Sequence, residues 1–324
     1  MHKHLQPILF FTFVVAFLIT APLVVLYTAG FRYQFGKNVI VKTGVLSVST
    51  IPRGATLLID ETEESTKTPV VVDTIIPGMH KITLQKEGYL PWKKELEVFS
   101  QLTTFADNVV LFGSDELVFD SKLKPQEVQT ASAPTTTFQG KQVQINSLPD
   151  RAVLSFVDSS DVSTIISYLP AGTYSFVPAP ANLLFLVDEL HQSIVVINPQ
   201  DDQPVLLNES ASVFDWQLDR SRLLFSDGFD LQVYNASNHT RETLTRLSEK
   251  IVDLAWFPKG EVVLYATDTH VTALELDRRG SQNRFELGTL DRIDSFSLDD
   301  QGQTLTVLGK LASDEGTFQK RLQN

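Results

Sequence analysis

Four aromatic residues recur at a fixed spacing along the C-terminal part of this chain. Each lies 40 residues after the one before it, in the order Phe176, Trp216, Trp256 and Phe296. A short apolar run begins seven residues after each of the first three, and another apolar stretch follows each run. Runs of this length between turn residues are typical of buried strands. The period therefore predicts a unit of short strands that repeats every 40 residues.

A repeat of about 40 residues built from short strands indicates the blades of a β-propeller. We expect the propeller to occupy residues 141–324, with about five blades, and Trp216 and Trp256 to pack between blades. Trp256-Phe-Pro-Lys-Gly260 precedes an apolar strand. This segment resembles the Trp-Ser-Pro-Asp-Gly segment of propeller repeats of the WD-repeat and TolB-like kind. The resemblance implies the geometry of a blade.

Residues 44–112 predict a smaller antiparallel β module. Apolar and polar residues alternate in His80–Gln85 and in Lys94–Val98, which is the pattern of half-buried strands. Four short motifs in this region, in this order and spacing, resemble the PEGA domain: Pro52-Arg53-Gly54-Ala55, Thr68-Pro69, Pro77-Gly78-Met79-His80 and Gly88-Tyr89. The resemblance implies a sandwich-like binding or spacer module of prokaryotic envelope proteins, without catalysis.

The N-terminal region predicts a membrane helix. No charged side chain occurs from Leu5 to Phe31. As a helix, residues 8–29 would span about 33 Å, enough to cross a hydrocarbon core of about 30 Å. A cleaved signal peptide is the alternative, but its apolar region would be shorter and would end in a small-x-small site. We expect residues 1–32 to form a cytoplasmic tail and an uncleaved anchor that contacts the lipid bilayer through residues 8–29.

The orientation of this anchor is argued from two opposing observations. The basic residues Arg32, Lys37 and Lys42 follow the apolar run, which by simple counting favours a cytoplasmic C-terminal side. Large domains, however, translocate largely regardless of charge, and the PEGA resemblance fits an envelope-facing position. We therefore expect the N-terminus in the cytoplasm and the C-terminal domains outside it.

The composition excludes several function classes. The chain holds 39 acidic and 27 basic residues and no cysteine. An acidic surface repels phosphate backbones, so no nucleic-acid partner is expected. The absence of cysteine excludes disulfides, thiolate metal sites and cysteine nucleophiles. Residues 113–140 contain a polar, Pro-containing stretch and are predicted to be a linker or an irregular first blade.

No catalytic motif or metal-ligand spacing is recognisable, so no catalytic, cofactor-binding or metal-binding residue is predicted. His80 is expected to make a structural hydrogen bond, and the other histidines are expected in exposed loops or in the tail: His2, His4, His191, His239 and His270. The acidic pairs are expected to be solvated turn residues: Glu63-Glu64, Asp188-Glu189, Asp201-Asp202 and Asp299-Asp300. Tyr89 and Trp92 would stack on a sugar if exposed, and core packing is the alternative.

These observations predict a membrane-anchored, non-enzymatic cell-envelope binding module whose propeller engages a protein or a glycan. Two alternatives remain open, namely a propeller glycan hydrolase or lyase, and a structural envelope spacer. A carboxylate pair on the central face of the propeller would favour the enzyme. An acidic, loop-rich face with exposed aromatic residues would favour binding.

Overall fold

The computed structural model describes residues 5–34, 38–121, 135–217, 219 and 221–323. These residues form one N-terminal helix and otherwise β-strands, which confirms the prediction of an all-β chain with a single apolar helix. The chain divides into two compact units. The first comprises residues 1–114 and 277–283, and the second comprises residues 115–276 and 284–324.

Helix α1 spans Leu5–Thr28 and has no acidic residue in its first turn and no basic residue in its last turn. Residues Leu9–Thr28 are long and apolar enough to cross a membrane, and none of this segment is buried against the rest of the chain. Such a helix is either a transmembrane span or a signal peptide. A hairpin of β1 (Phe31–Gln34) and β2 (Val39–Lys42) follows it, with Phe31 opposite Lys42.

The rest of the first unit contains two sheets. In chain order its strands are β3 (Gly44–Ile51), β4 (Thr56–Ile59), β5 (Thr62–Glu63), β6 (Val70–Ile75), β7 (Gly78–Gln85), β8 (Trp92–Val98) and β9 (Thr103–Val110). One sheet has the order β6-β3-β9 and the other the order β5-β4-β7-β8. Burial alternates residue by residue along β8, as the sequence pattern predicted, and also along β3. The alternation predicted for His80–Gln85 in β7 is interrupted, because Thr83 is buried together with Ile82 and Leu84.

The core of this unit is formed by the inward-facing residues of both sheets. They include Leu46, Val48, Leu57, Ile82, Leu84, Trp92 and Leu96, each at most 1% exposed. The expectation of purely antiparallel strands is wrong for one pair, because β3 and β9 run parallel. An alternating pattern specifies which side chains face inward, but it carries no information about the direction of the neighbouring strand.

The second unit contains five four-stranded sheets within the described residues. Each of the first four is made of consecutive strands: β11 (Thr135–Phe138), β12 (Lys141–Ser147), β13 (Arg151–Val157) and β14 (Ser163–Pro170); β15 (Tyr174–Val177), β16 (Leu184–Asp188), β17 (Ser193–Ile197) and β18 (Val205–Ser210); β19 (Val213–Gln217), β20 (Arg222–Ser226), β21 (Asp230–Asn235) and β22 (Thr240–Arg246); β23 (Ile251–Trp256), β24 (Val262–Thr267), β25 (His270–Glu275) and β26 (Arg284–Thr289).

The fifth sheet is discontinuous in sequence. It combines β27 (Arg292–Leu298), β28 (Thr304–Leu311) and β29 (Asp314–Arg321) with β10 (Val118–Phe119), which pairs with β29 as the outermost strand. The ring of Phe119 lies 5.3 Å from that of Phe318. Residues 118 and 119 fall in the segment predicted to be a linker or an irregular first blade. Residues 122–134, which include most of its Pro-containing stretch, lie outside the described residues.

The 40-residue period corresponds to the repeated sheets. Its four aromatic residues lie on β15, β19, β23 and β27, the first strands of four successive sheets. Trp256 is 8% exposed and belongs to a cluster that joins the third and fourth sheets. Trp216 is partly buried against the cluster between the second and third sheets, with its ring 5.5 Å from Phe185 in an edge contact. Both tryptophans therefore pack between sheets, as predicted.

Candidate functional site

Asp188, one of the predicted turn acids, is buried rather than solvated. It is 1% exposed, and its Oδ1 accepts backbone hydrogen bonds from Thr173 at 2.9 Å and Leu190 at 3.1 Å. Its Oδ2 lies 2.6 Å from Nδ1 of His191. The expectation of a solvated residue is wrong here because the two amides and the imidazole replace water around the carboxylate. Asp188 holds its turn together.

Two of the other acidic pairs follow the predicted behaviour of turn residues, whereas Glu63-Glu64 lies at the end of strand β5 and not in a turn. Asp299 is exposed, and its carboxylate accepts N–H groups of residues 301, 303 and 304 in its own turn. Asp201 accepts a hydrogen bond from the side-chain amide of Asn198 at 2.9 Å. Glu63 is exposed in β5. In the described part of the chain, no three acidic or histidine side chains are grouped so that they could hold a metal ion.

His80 makes the structural hydrogen bonds expected of it. Its Nδ1 lies 2.6 Å from Oδ2 of Asp60, and its Nε2 lies 2.6 Å from the carbonyl oxygen of Ile76. Asp60 also accepts the backbone N–H of Lys81 at 2.9 Å. Burial alone would raise the pKa of Asp60, but the amide of Lys81 and the ring of His80 lower it below its usual value. These bonds secure the β4–β5 turn, where Asp60 and Glu61 both have positive φ.

The remaining histidines that the structure describes form no common site. His191 is held by Asp188, as described above, and its side chain is 56% exposed. His239 is exposed in the turn after β21. The expectation that His270 lies in a loop is wrong, because β25 begins at this residue and its Nδ1 lies 3.1 Å from Oγ1 of Thr289. His2 and His4 lie outside the described residues.

Two acids that the sequence did not single out connect successive sheets of the second unit. Asp215 on β19 accepts the backbone N–H of Trp256 on β23 at 2.8 Å. Asp253 on β23 accepts the backbone N–H of Phe296 on β27 and that of Leu254, both at 2.8 Å. Burial raises the pKa of both carboxyls, that of Asp253 to about 6, with a contribution from the nearby charge of Asp215.

The signal for these two acids in the sequence is weak. Asp215 precedes its aromatic residue Trp216 by one position, whereas Asp253 precedes Trp256 by three. Because the offset changes, a search at a strict period of 40 does not align them. The register of β23 against β24 shifts between Ile251 and Asp253, and this irregularity accompanies the different position of the acid.

The aromatic pair predicted near the end of the PEGA motifs is divided between core and surface. Trp92 is 1% exposed and packs in the core of the first unit. Tyr89 keeps part of its surface exposed. Stacking on a sugar is therefore excluded for Trp92 and remains a prediction for Tyr89 alone.

Tyr89 lines an open groove at one end of the first unit, which we call the lysine groove. Its volume is about 770 Å³, and its wall is formed by Gly54, Thr56, Lys67, Gln85, Lys86, Glu87, Tyr89 and Pro91. Nζ of Lys86 donates to the carbonyl oxygen of Arg53 at 2.9 Å and lies 5.9 Å from the centre of the Tyr89 ring. The wall contains two lysines, Lys67 and Lys86, and one acidic residue, Glu87, so its net charge is positive.

The PEGA motifs position the residues of this groove. Gly54 has a φ of 88°, a left-handed conformation that favours glycine, and its N–H donates to the carbonyl oxygen of Thr68. The hydroxyl of Thr68 accepts the N–H of Ala55 at 2.9 Å and lies 2.6 Å from the hydroxyl of Thr50. The Pro-x-Gly-Ala and Thr-Pro segments are thus joined side by side, with Lys67 beside them.

A second polar arrangement in the first unit is buried. The side chain of Lys94 on β8 is completely inaccessible, and its Nζ lies 3.3 Å from Oδ2 of Asp277 and donates to the Asp277 carbonyl oxygen at 2.7 Å. Burial alone would raise the pKa of Asp277, but Arg279 and Lys94 lower it to about 2. A buried ammonium with a close carboxylate is a structural ion pair.

Residues 43–111 match the model of the PEGA domain. The match includes every residue of the lysine groove, the structural histidine His80 and all seven strands of the two sheets. It confirms the resemblance that the four motifs indicated.

Several solved structures resemble the chain. One is a chain of a mitotic checkpoint complex, with 12% identity and a TM-score of 0.37, which covers 76% of this chain and 72% of that chain. Hsv2p of Kluyveromyces lactis has 10% identity, a TM-score of 0.37 and coverages of 74% and 67%. Sqt1 of Saccharomyces cerevisiae has 11% identity, a TM-score of 0.38 and coverages of 78% and 81%. No curated protein matches the chain in sequence.

Proposed function

We propose that this chain is a membrane-anchored, non-enzymatic binding module of the cell envelope, and that the lysine groove is a site where its partner binds. The lysine groove is the observation that carries the proposal, because it presents Lys67 and Lys86 in a chain whose formal charge is −12. The apolar helix and the PEGA match support anchoring and binding, respectively. Engagement of a partner by the second unit stays a prediction.

The chemistry of the lysine groove favours an anionic glycan. An ammonium group attracts carboxylate or phosphate and donates up to three hydrogen bonds, of which Lys86 uses one for Arg53. The ring of Tyr89 offers an apolar face for a sugar ring. Thr56 and Gln85 add a hydroxyl and an amide that suit sugar hydroxyls.

Binding of polygalacturonate to the full chain in detergent micelles tests this proposal. Replacing both lysines, as K67Q/K86Q, should weaken binding at least about tenfold, because a hydrogen bond to a charged group contributes about 1.5–3 kcal/mol. The matched control K93Q/K141Q removes the same charge from exposed positions outside the groove and should bind like the unaltered chain. Equal losses in both variants, equal binding of uncharged dextran, or preference for polyglutamate would contradict a glycan site.

Glycan hydrolysis is a second candidate, favoured by the carboxylates Asp215 and Asp253. A carboxyl with a pKa of about 6 is suited to act as a general acid near neutral pH. Binding is the better supported function, because both oxygens of Asp253 and one of Asp215 accept backbone N–H groups that hold the sheets together. Hydrolysis of polysaccharides that disappears in D253N, while the fold persists, would establish the enzyme instead.

The proposal includes a finer architecture for the second unit, namely a five-bladed propeller closed by β10. Five four-stranded sheets, successive hydrophobic clusters and the hydrogen bonds of Asp215 and Asp253 support it. Addition of β10 to β29 completes the fifth sheet and joins the beginning and the end of the second unit in one sheet. An experimental structure with another number of blades or an open ring would contradict it.

The proposal also places the N-terminus in the cytoplasm and residues 33–324 outside it. A reporter fused at Asn324 that is active only outside the cytoplasm should therefore be active. Activity of a reporter that works only in the cytoplasm, at the same position, would reverse the orientation and remove the envelope function.

A further inference from the structure

The turn between β8 and β9 has an unusual composition for a surface turn. It consists of Phe99, Ser100, Gln101 and Leu102, and the two apolar side chains are 49% and 60% exposed. Turns at protein surfaces usually consist of Gly, Pro, Asn, Asp and Ser. Two large exposed apolar residues in one turn indicate a contact that is absent from the isolated chain.

This turn is fixed to the segment that leads out of the membrane helix. The N–H of Gln101 donates to the carbonyl oxygen of Thr43 at 3.0 Å, and the N–H of Val45 donates to that of Leu102 at 3.0 Å. The hydroxyl of Ser100 donates to the carbonyl oxygen of Lys42 at 3.0 Å. A Cβ at position 44 would lie 2.3 Å from the oxygen of Phe99, so glycine permits this close approach.

The same segment contacts the end of α1. The N–H of Thr43 donates to the carbonyl oxygen of Gly30 at 2.9 Å, and Gly30 follows the last residue of the helix by two positions. Gln101 in the turn is thus connected through Thr43 to Gly30, just after the helix, by two successive backbone hydrogen bonds. The turn and the end of the apolar helix therefore lie at the same end of the first unit.

The β1–β2 hairpin adds apolar and cationic groups at this end. Tyr33 and Ile40, which pair across the hairpin, are 46% and 61% exposed. The guanidinium of Arg32 stacks 3.7 Å above the ring of Tyr27, and the ammonium of Lys42 lies 5.2 Å from the ring of Phe31. Residues 1–43 contain no acidic side chain. Aromatic, apolar and cationic side chains together are typical of the headgroup region of a bilayer.

We propose that the β8–β9 turn, with Phe99 and Leu102, and the β1–β2 hairpin contact the surface of the bilayer next to the end of α1. The inference rests on the proposed membrane anchoring. Continuity with the apolar helix identifies the bilayer as the occupant of this surface, and Arg32 and Lys42 complement anionic headgroups. The contact would hold the first unit at the membrane in addition to its single covalent connection.

The lysine groove would then point away from the bilayer. Val98 ends β8 beside the turn, whereas Trp92 begins β8 next to the groove residue Pro91. Seven residues of β-strand separate the two ends by about 20 Å. The proposed membrane contact and the proposed binding site are consequently at opposite ends of the strand.

Single-cysteine labelling of the full chain tests the contact directly, because the chain has no cysteine of its own. Variants L102C, F99C and E87C are labelled with an environment-sensitive fluorophore and reconstituted in vesicles of phosphatidylcholine and phosphatidylglycerol. Each sample is measured with and without a quencher attached to the lipid acyl chains. Glu87 is the control, since it is exposed in the lysine groove at the far end of the unit.

The expected result is loss of emission by the acyl-chain quencher at positions 99 and 102, with emission at shorter wavelength, and no loss at position 87. Flotation of the vesicles establishes separately whether α1 anchors the chain. A chain that floats while position 102 is quenched no more than position 87 overturns the contact and leaves the anchoring intact. Emission at shorter wavelength without loss to the acyl-chain quencher also overturns the contact, because the fluorophore is then covered by protein and not by lipid. Failure to float refutes anchoring and contact together.

Discussion

Substitution of Asp253 by Asn tests how the acids of the second unit hold successive sheets together. The carboxylate of Asp253 accepts N–H groups of Phe296 and Leu254 while it is largely shielded from water. Burial penalises its charged form and raises its pKa to about 6 from 3.8. Asn keeps the size of the side chain and one hydrogen-bond acceptor, but its amide does not ionise.

The expected magnitude follows from this pKa. A folded-state pKa above the unfolded value means that the folded chain binds the proton more tightly. The free energy of unfolding therefore has its full contribution from Asp253 below about pH 4, loses it as the pH rises towards and past 6, and is constant above about pH 7. The difference between 3.8 and about 6 corresponds to about 3 kcal/mol. Since the side chain keeps some contact with solvent, we expect about 1–3 kcal/mol.

Denaturant unfolding of the full chain in detergent micelles measures this effect. In a Trp92→Phe background, the remaining tryptophans are Trp216 and Trp256, which both report on the second unit. The unaltered Asp253 chain should lose stability between pH 4.5 and pH 7.5. The D253N variant should lose about 1–2 kcal/mol less over the same interval, because part of the contribution of Asp253 is already lost below pH 4.5.

The exposed residue Asp300 provides a matched control. The substitution Asp300→Asn removes the same charge and should leave the difference between pH 4.5 and pH 7.5 unchanged. Parallel pH profiles for D253N and its parent would refute the reasoning, because Asp253 would then ionise in the folded chain as easily as in the unfolded one.

Three further substitutions test the packing. Trp256→Ala should lower the free energy of unfolding by about 3–5 kcal/mol, because its buried ring lies 4.6 Å from the Arg222 guanidinium and its indole N–H donates to a backbone oxygen. Thermal melting followed by circular dichroism measures this effect, and an unchanged melting temperature would contradict it. Asp277→Asn should cost about 3 kcal/mol at pH 7, since it weakens the pairing of the buried Lys94 ammonium. Because the pKa of Asp277 is about 2, this loss should vanish as the pH falls from about 4 to 2. Gly44→Ala should cost about 1–3 kcal/mol through its clash with Phe99, measured by Trp92 fluorescence.

The sequence alone determined the class and order of the elements. The uncharged run from Leu5 to Phe31 specified a helix, because a helix satisfies the backbone hydrogen bonds of a long apolar stretch within the stretch itself. The alternation in β8 specified which side chains face inward, and the period of 40 placed an aromatic residue on the first strand of four sheets. These features are local, so each is visible in a short window of the chain.

Only the tertiary structure decided the features that join distant parts of the chain. The parallel pairing of β3 with β9 and the addition of β10 to the fifth sheet depend on which strand edges meet, and no local pattern records this. Asp253 was not predicted, because its carboxylate accepts an N–H group that lies 43 positions later in the chain. It also stands three positions before its repeating aromatic residue, whereas Asp215 stands one position before its own. Asp188 was predicted in a turn but not in the interior, since its burial comes from His191 and from the amides of residues 173 and 190. Burial and electrostatics are set by neighbours in space, and those neighbours become known only when the chain has folded.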